Sequence, residues 1–223
     1  MNGIAREISD RTPLGPVSID LDALGDAKLA STPFAFAIVP NFIRAEVIDS
    51  IGADFPEIEL PGSFPLSTLC FGSAFARFVQ DLQSLEMTGC VASKFAIDLD
   101  ASPTMVTVRG MSREADGKIH TDSKTKLITA LIYMNDSWES PKGRLRLVGS
   151  PDNLNDVIAE VPPERGTLLI FKNEPNAWHG FESFAGRRRV VQLNWVTSQG
   201  VVRREQTRHR VSAFFKRLAR RFR

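Results

Sequence analysis

The sequence has few cysteines and few histidines, and it has no long apolar run. Its 223 residues include two cysteines, Cys70 and Cys90, and three histidines. Two cysteines do not make the disulfide framework of a small secreted domain, so we expect two buried thiols in a reducing compartment. No apolar run reaches the length of a membrane span, and the first residues lack the apolar centre of a signal peptide. These absences favour a cytoplasmic protein.

The composition predicts one domain with two appended segments. A chain of 223 residues, 43% of them hydrophobic, can hold one substantial core. Residues 1–30 are polar, contain two prolines and show no sustained period, so we expect an arm that drapes over the domain or is partly disordered. The domain itself is expected over residues 31–202. A basic tail follows at 203–223, where nine Lys or Arg oppose one Glu and the rest of the chain is mildly acidic.

Hydrophobic periodicity predicts helices in the first half of the domain and strands in the second. Helices are expected from about residue 44 to Pro56, over 75–85 and over 88–97, which together form a helical support at about 41–98. A β core is expected at about 103–197. Its strands are expected at 104–109, around His120, and at 127–134, 143–148, 157–161, 167–171 and 190–196. Short strands with such turn signals are typical of a double-sheet barrel such as a jelly roll.

Three residues could bind a metal ion. Side chains at positions i and i+2 of a strand leave the same face, so His120 and Asp122 can point together. His179, from a distant strand, would complete a set of two histidines and one carboxylate. Such a set occupies one face of an octahedral metal and leaves the other positions open, which suits Fe(II) oxygen chemistry. Each histidine could instead be an ordinary hydrogen-bonded residue at a barrel mouth, and Asp122 a turn or capping residue.

A basic cluster at 187–189 leads into the last predicted strand. An arginine that enters an apolar pocket needs an anionic partner, because an unpaired buried charge is very costly. A dicarboxylate cosubstrate would supply one. Strand alternation places Arg187 and Arg189 on one face and Arg188 on the other.

At about residues 104–196 the sequence resembles the Fe(II)- and 2-oxoglutarate-dependent oxygenases, in particular the prolyl-4-hydroxylase-like branch. The family's motifs stand here, in the family's order, as His120-Thr121-Asp122, Ile132-Tyr133-Met134-Asn135, Gly143-Arg144-Leu145, Pro163-Glu164-Arg165-Gly166-Thr167-Leu168 continuing to Phe171, His179-Gly180 and Arg189. The resemblance implies a double-stranded β-helix with helices packed on one sheet. It also implies that His120, Asp122 and His179 bind Fe(II).

The resemblance further implies 2-oxoglutarate as cosubstrate, consumption of O2, and hydroxylation of a substrate with release of succinate and CO2. Whether ascorbate also takes part stays open. The family's spacing selects Arg189 over Arg188 for the distal carboxylate of 2-oxoglutarate. Tyr133 matches a tyrosine that donates to the same carboxylate, although it could be an ordinary core residue.

Some motifs depart from the family and leave alternatives open. A single glycine, Gly143, stands where a pair is common, so a prolyl substrate should not be assumed; a protein side chain or a small molecule would fit equally. A barrel that binds metal but hydrolyses or isomerises its ligand is one rival. An adaptor that acts through its tail, with a silent barrel, is another.

Several residues near the motifs have open roles. Arg109, Trp138 and Trp178 could line the substrate mouth or be structural. The tail at 208–223 has five apolar residues at helical spacing opposite Arg and Lys. It could pack on the domain or form a dimer, or it could lie on an anionic membrane. Nucleic acid is not an expected partner, because the apolar face would have no role on it.

Overall fold

The computed structural model describes residues 17–208 and Val211. Its helices are α1 (Leu21–Asp26), α2 (Ala45–Ala53), α3 (Ser73–Leu82) and α4 (Leu85–Phe95), with a 3-10 turn at Leu66–Thr68. Its strands are β1 (Phe36–Val39), β2 (Phe64–Pro65), β3 (Thr104–Ser112), β4 (Lys126–Tyr133), β5 (Leu145–Val148), β6 (Val157–Val161), β7 (Leu168–Lys172), β8 (His179–Gly180) and β9 (Gly186–Val196). A further helix begins at residue 199 and continues to residue 208.

The strands form two antiparallel sheets. The larger has six strands in the order β1-β7-β4-β9-β3-β2, and the smaller has three in the order β6-β5-β8. Apolar side chains of the two sheets meet in one buried cluster, with Tyr133 and Phe171 from the large sheet and Leu145, Leu147 and Val161 from the small one. The expected double-stranded β-helix, or jelly roll, is confirmed.

The large sheet is covered on both faces, which explains why its central strands are apolar almost throughout. One face carries Ile132 and Leu193 and packs against helix residues such as Phe75 and Phe78. The other face carries Tyr133 and turns toward the small sheet. Successive residues of a strand therefore divide between a core under the helices and the interior of the barrel.

The helices and most strands lie where hydrophobic periodicity predicts them. One helix boundary differs: Leu85 starts α4 rather than ending α3, and its side chain is 87% exposed. The chain turns there because the Ser84 hydroxyl accepts a hydrogen bond from the backbone N–H of Met87 and so caps the new helix. Strand β3 continues to Ser112, three residues beyond its expected end at residue 109.

Both ends of the described chain pack on the domain. Ile19 and Leu24, within the segment expected to be an arm, are fully buried, and Asp81 accepts hydrogen bonds from the backbone N–H and the hydroxyl of Ser18. At the other end Val201 and Val202 pack on Val196. Residues 1–16 of the arm and most of the apolar tail residues lie outside the described part. Within residues 17–208 no helix is both long enough and apolar enough to cross a bilayer.

Candidate active site

A cavity of about 380 Å³ opens on the barrel interior face of the large sheet. Its wall includes residues of β3, β4 and β9 from the large sheet and of β5 and β8 from the small one. His120, Asp122 and His179 all line it. The three residues that the sequence singles out as metal ligands thus share one cavity.

The three side chains are close enough to bind one ion. One ligand atom from each residue lies within 4.8 Å of the others. His179 is buried, Asp122 is partly buried and His120 is exposed, so the group is open to solvent on one side. A site with this donor set and an open side fits a metal that must also bind exogenous ligands.

His120 reaches this position without belonging to a strand. An isolated bridge pairs it with His179, through backbone hydrogen bonds of 3.0 Å in each direction. The expectation of a strand at His120 is wrong. Alternation along a strand therefore does not explain why the side chains of His120 and Asp122 point together. The antiparallel bridge brings the two imidazoles together, with ring centroids 4.4 Å apart.

Each histidine presents its Nε2 atom for metal binding. Nδ1 of His120 is 2.9 Å from the carbonyl oxygen of Lys118, and Nδ1 of His179 is 3.0 Å from that of Ala177. A carbonyl oxygen only accepts, so Nδ1 carries the proton and Nε2 keeps its lone pair. Burial lowers the pKa of His179 to about 4, which keeps this imidazole neutral at physiological pH.

The Asp122 carboxylate is fixed by two neighbours. Nζ of Lys126 lies 2.7 Å from Oδ1, and the Thr129 hydroxyl donates to Oδ2 at 2.5 Å. Burial alone would raise the pKa of Asp122, but the charges of Lys126 and His179 and the hydrogen bonds from Lys126 and Thr129 together outweigh it, so the pKa lies below its ordinary value. The carboxylate is therefore ionised and oriented, as a metal ligand must be.

A chain of hydrogen bonds continues behind Asp122. The side-chain amide of Asn194 donates to the Thr129 hydroxyl at 2.8 Å, and that of Gln192 donates to Oδ1 of Asn194 at 3.2 Å. Both amides belong to β9, and Asn194 pairs with Thr129 in the sheet register. Sequence analysis missed these residues. Polar residues within two otherwise apolar predicted strands were a signal for them, but alternation alone does not say which face lines the cavity.

Arg188 is a buried cation on the same wall. It is 5% exposed, its Nε donates to the carbonyl oxygen of Gly143 at 2.9 Å, and its guanidinium carbon lies 4.2 Å from the ring centroid of Phe181. Its Nη2 atom is buried without a hydrogen-bond partner, and no carboxylate in the described part of the chain forms an ion pair with it. Burial lowers the pKa of this guanidinium. A cation in this state is costly unless an anion joins it.

Tyr133 lies beside Arg188, behind the cavity wall. Its side chain is fully buried, and its hydroxyl also has no hydrogen-bond partner among the described residues. The guanidinium carbon of Arg188 is 5.6 Å from the ring centroid of Tyr133. The two groups interact with each other, which opposes the effect of burial on the pKa of both, but neither Nη2 nor the hydroxyl donates to a carboxylate or carbonyl oxygen.

Arg189 points away from the cavity. Its guanidinium carbon lies 4.9 Å from the ring of Phe55, under the helices, and its side chain borders a different surface depression. The alternation along β9 is as expected, since Val191, Leu193 and Trp195 share this helix-facing side. The side of β9 that faces the cavity is the one that carries Arg188. The preference for Arg189 as the residue that binds the distal carboxylate is therefore wrong on geometry.

Of the three residues proposed for the substrate mouth, one lines the cavity. Arg109 is part of its wall, whereas neither tryptophan is. Trp138 packs against Phe184 with ring centroids 4.7 Å apart, and its indole N–H donates to the carbonyl oxygen of Lys142. Its role is structural.

Comparison with known proteins agrees with this site. Residues 107–197 match the 2OG-Fe(II) oxygenase superfamily. The chain carries a 2OG-Fe(II) oxygenase domain. The matched segment contains the metal triad, Tyr133 and both candidate arginines, and it spans β3 to β9.

Solved structures share the fold of this oxygenase. A prolyl-4-hydroxylase from Pseudomonas putida is 16% identical, with a TM-score of 0.55 over 83% of this chain and 97% of that one. Prolyl 4-hydroxylases from Phytophthora capsici give 14% identity and a TM-score of 0.50, over 82% of this chain and 62% of theirs. At such identities the likeness concerns the fold. None of the curated proteins matches the chain in sequence.

The residues present fit the family's Fe(II) and 2-oxoglutarate. The donor set of two imidazoles and one ionised carboxylate suits Fe(II). The unpartnered donors of Arg188 and Tyr133 suit a carboxylate. This protein is an Fe(II)- and 2-oxoglutarate-dependent oxygenase.

Proposed function

We propose that this oxygenase hydroxylates a C–H bond of its substrate while converting 2-oxoglutarate and O2 to succinate and CO2. The single observation that supports 2-oxoglutarate most strongly is Arg188, a buried guanidinium without an anionic partner on the wall of the cavity that holds the metal triad. An anion in the cavity would remove the cost of that buried charge.

His120, Asp122 and His179 would hold the Fe(II). Their Nδ1 atoms contact backbone carbonyl oxygens, which leaves Nε2 of each histidine as the ligand atom, and the Asp122 carboxylate is ionised. When bound, Fe(II) and 2-oxoglutarate together supply the activation of O2. Thr129 and Lys126 would keep Asp122 oriented, as partners of metal ligands do in other sites.

Arg188 and Tyr133 would bind the distal carboxylate of 2-oxoglutarate. Nε of Arg188 is already engaged by the carbonyl oxygen of Gly143, which leaves Nη2 and the Tyr133 hydroxyl as donors. Position 143 requires glycine, because its φ of +79° disfavours other residues and a Cβ atom there would lie 2.7 Å from the Trp138 ring. With glycine at this position the backbone carbonyl can accept the hydrogen bond from Arg188. Two donors on one carboxylate fix its orientation as well as its position.

The same observation disfavours the two rival functions. A metal barrel that hydrolyses or isomerises a neutral ligand does not need a buried arginine in its cavity. An adaptor with a silent barrel needs neither that arginine nor an oriented set of metal ligands, and both carry a cost in free energy that only a bound ligand offsets.

The experiment is to supply Fe(II), 2-oxoglutarate and O2 to the full chain and to measure succinate. We expect slow substrate-independent succinate formation that is absent from Asp122→Ala. Addition of cell extract fractions should then raise the rate, and mass spectrometry should find a product heavier by one oxygen atom. Absence of succinate from wild-type protein that binds both Fe(II) and 2-oxoglutarate would contradict the proposal.

We also propose cytoplasmic residence, supported by two free cysteines. Dimerisation or contact with an anionic membrane through the basic tail stays a prediction. Its test is sedimentation with anionic vesicles and measurement of molecular mass, with and without residues 209–223.

A further inference from the structure

Arg109 is a second cavity arginine that has no direct ion pair among the described residues, although the charge of Asp116 acts on it. It lies near the end of β3 and pairs in register with Val190, two residues from Arg188. Its Nε donates to the Ser63 hydroxyl at 2.8 Å. Within residues 17–208 no carboxylate forms an ion pair with it, and burial lowers the pKa of its guanidinium.

Most other charged side chains of the cavity wall form ion pairs. Lys126 pairs with Asp122 at 2.7 Å, and Arg208 pairs with Glu205 at 2.5 Å. The third acidic lining residue, Asp116, pairs with Arg113 at 3.2 Å. Three lining cations remain without an ion pair among the described residues: Arg109, Lys118 and Arg188.

One molecule of 2-oxoglutarate does not neutralise these three cations. Its distal carboxylate would match Arg188, and its other end would lie on the metal. Arg109 is close enough to Arg188 that its charge lowers the pKa of Arg188. The charge of Asp116 reduces this repulsion but does not cancel the lowered pKa of either guanidinium, and a further anion near Arg109 would reduce it more.

We propose that Arg109 binds an anionic group of the substrate, a carboxylate or a phosphate, with Lys118 as a second positive charge at the same mouth. The proposal rests on the proposed function in one respect, the assignment of Arg188 to 2-oxoglutarate. The substrate class is then an acidic side chain or an acidic small molecule, held so that one of its C–H bonds faces the metal. Neutral and cationic substrates would leave Arg109 unmatched.

The partner of Arg109 can be tested before any substrate is known. Protein loaded with Zn(II), which does not turn over, is saturated with 2-oxoglutarate, and its binding is measured by calorimetry. Trifluoroacetate is then titrated as a carboxylate probe and followed by fluorine NMR line broadening, with trifluoroethanol as the uncharged control. Inorganic phosphate is added as a competitor, to tell which of the two anions the site prefers.

Three variants complete the test. Arg109→Gln should weaken trifluoroacetate binding at least about tenfold, the loss expected for a charge-assisted hydrogen bond. Arg109→Lys, which keeps the charge, should retain part of the binding. Arg187→Gln is the control, because the side chain of Arg187 is exposed and borders the other surface depression rather than this cavity, and this variant should bind trifluoroacetate like wild type.

Each outcome decides the matter. Saturable binding of trifluoroacetate to wild type, lost in Arg109→Gln but not in Arg187→Gln, supports the proposal. Equal binding by Arg109→Gln, no binding by wild type, or binding that 2-oxoglutarate abolishes would overturn it; the last result would assign Arg109 to the cosubstrate. Failure of wild type to bind 2-oxoglutarate would instead count against the proposed function, and the calorimetric titration shows this separately.

Discussion

Arg188 and Arg189 are consecutive residues of β9, yet their side chains lie on opposite faces of the six-stranded sheet. The guanidinium carbon of Arg188 is 4.2 Å from the ring of Phe181 inside the barrel, and that of Arg189 is 4.9 Å from the ring of Phe55 under the helices. Only Arg188 lines the cavity with the metal triad. The two residues therefore form a natural pair of site and control positions.

Removal of either of two metal ligands should abolish Fe(II) binding. Asp122→Ala and His179→Ala each leave two protein ligands of the three that converge within 4.8 Å. Both variants should keep the circular dichroism of the wild type, because the cavity mouth is not the hydrophobic core. Metal analysis after anaerobic dialysis checks the loss. Stoichiometric Fe(II) in a folded double variant would disprove the ligand assignment.

Loss of the Thr129 hydroxyl should weaken metal binding without removing a ligand. Thr129→Val keeps the shape of the side chain but deletes the 2.5 Å hydrogen bond to Asp122 and leaves Asn194 without its acceptor. Loss of such a partner typically weakens metal affinity by about 10–100-fold. Competition with a chelating dye measures this affinity.

Thr107→Val is the control for Thr129→Val. Thr107 also lines the cavity and is buried, but it belongs to β3 and makes no hydrogen bond to Asp122. Equal affinity losses in the two variants would show that Thr129 has no specific role in positioning the carboxylate.

Tyr133 should ionise only at unusually high pH. Burial raises its pKa, an effect that the positive charge of Arg188 reduces but does not cancel. Because the folded state holds this proton more tightly than the unfolded chain, the stabilisation is complete below the ordinary tyrosine pKa of about 10. It is lost as the pH rises above that value.

The ultraviolet absorbance of tyrosinate measures this titration directly, since Tyr133 is the only tyrosine in the chain. We expect no tyrosinate signal from folded protein at a pH where the denatured protein is half ionised. Tyr133→Phe should show no signal in either state. Ionisation of the native protein at the ordinary tyrosine pKa would contradict the burial of this hydroxyl.

Sequence patterns predicted the fold because each strand of the sandwich shows its burial in its residues. Leu145 and Leu147 alternate with outward arginines, and β4 is apolar on both faces because helices cover one and the small sheet the other. The metal triad was also predictable, since few histidines can meet at one barrel mouth. The position of His120 was predicted, but not its conformation, because a single bridge to His179 replaces the expected strand.

The choice between the two arginines depended on information that local sequence does not contain. Alternation separates Arg188 from Arg189, but both faces of β9 are mostly buried, so the pattern of exposure does not say which face has helices and which has the cavity. The same ambiguity hid Asn194, whose polar side chain lies on the barrel face between apolar neighbours. Tertiary packing decides such cases.

The most direct test of the central claim is the binding of 2-oxoglutarate to the Fe(II) protein, titrated anaerobically and followed by the visible charge-transfer band. Removal of one partner of a buried charge pair typically costs about 3 kcal/mol or more, so Arg188→Met should raise the Kd at least about a hundredfold while Fe(II) content stays unchanged. Arg188→Lys keeps a charge without the guanidinium fork, so its Kd for 2-oxoglutarate should lie between those of the wild type and Arg188→Met. Arg189→Met should bind like wild type. Normal binding by a folded Arg188→Met protein, or a large loss in Arg189→Met alone, would contradict the account.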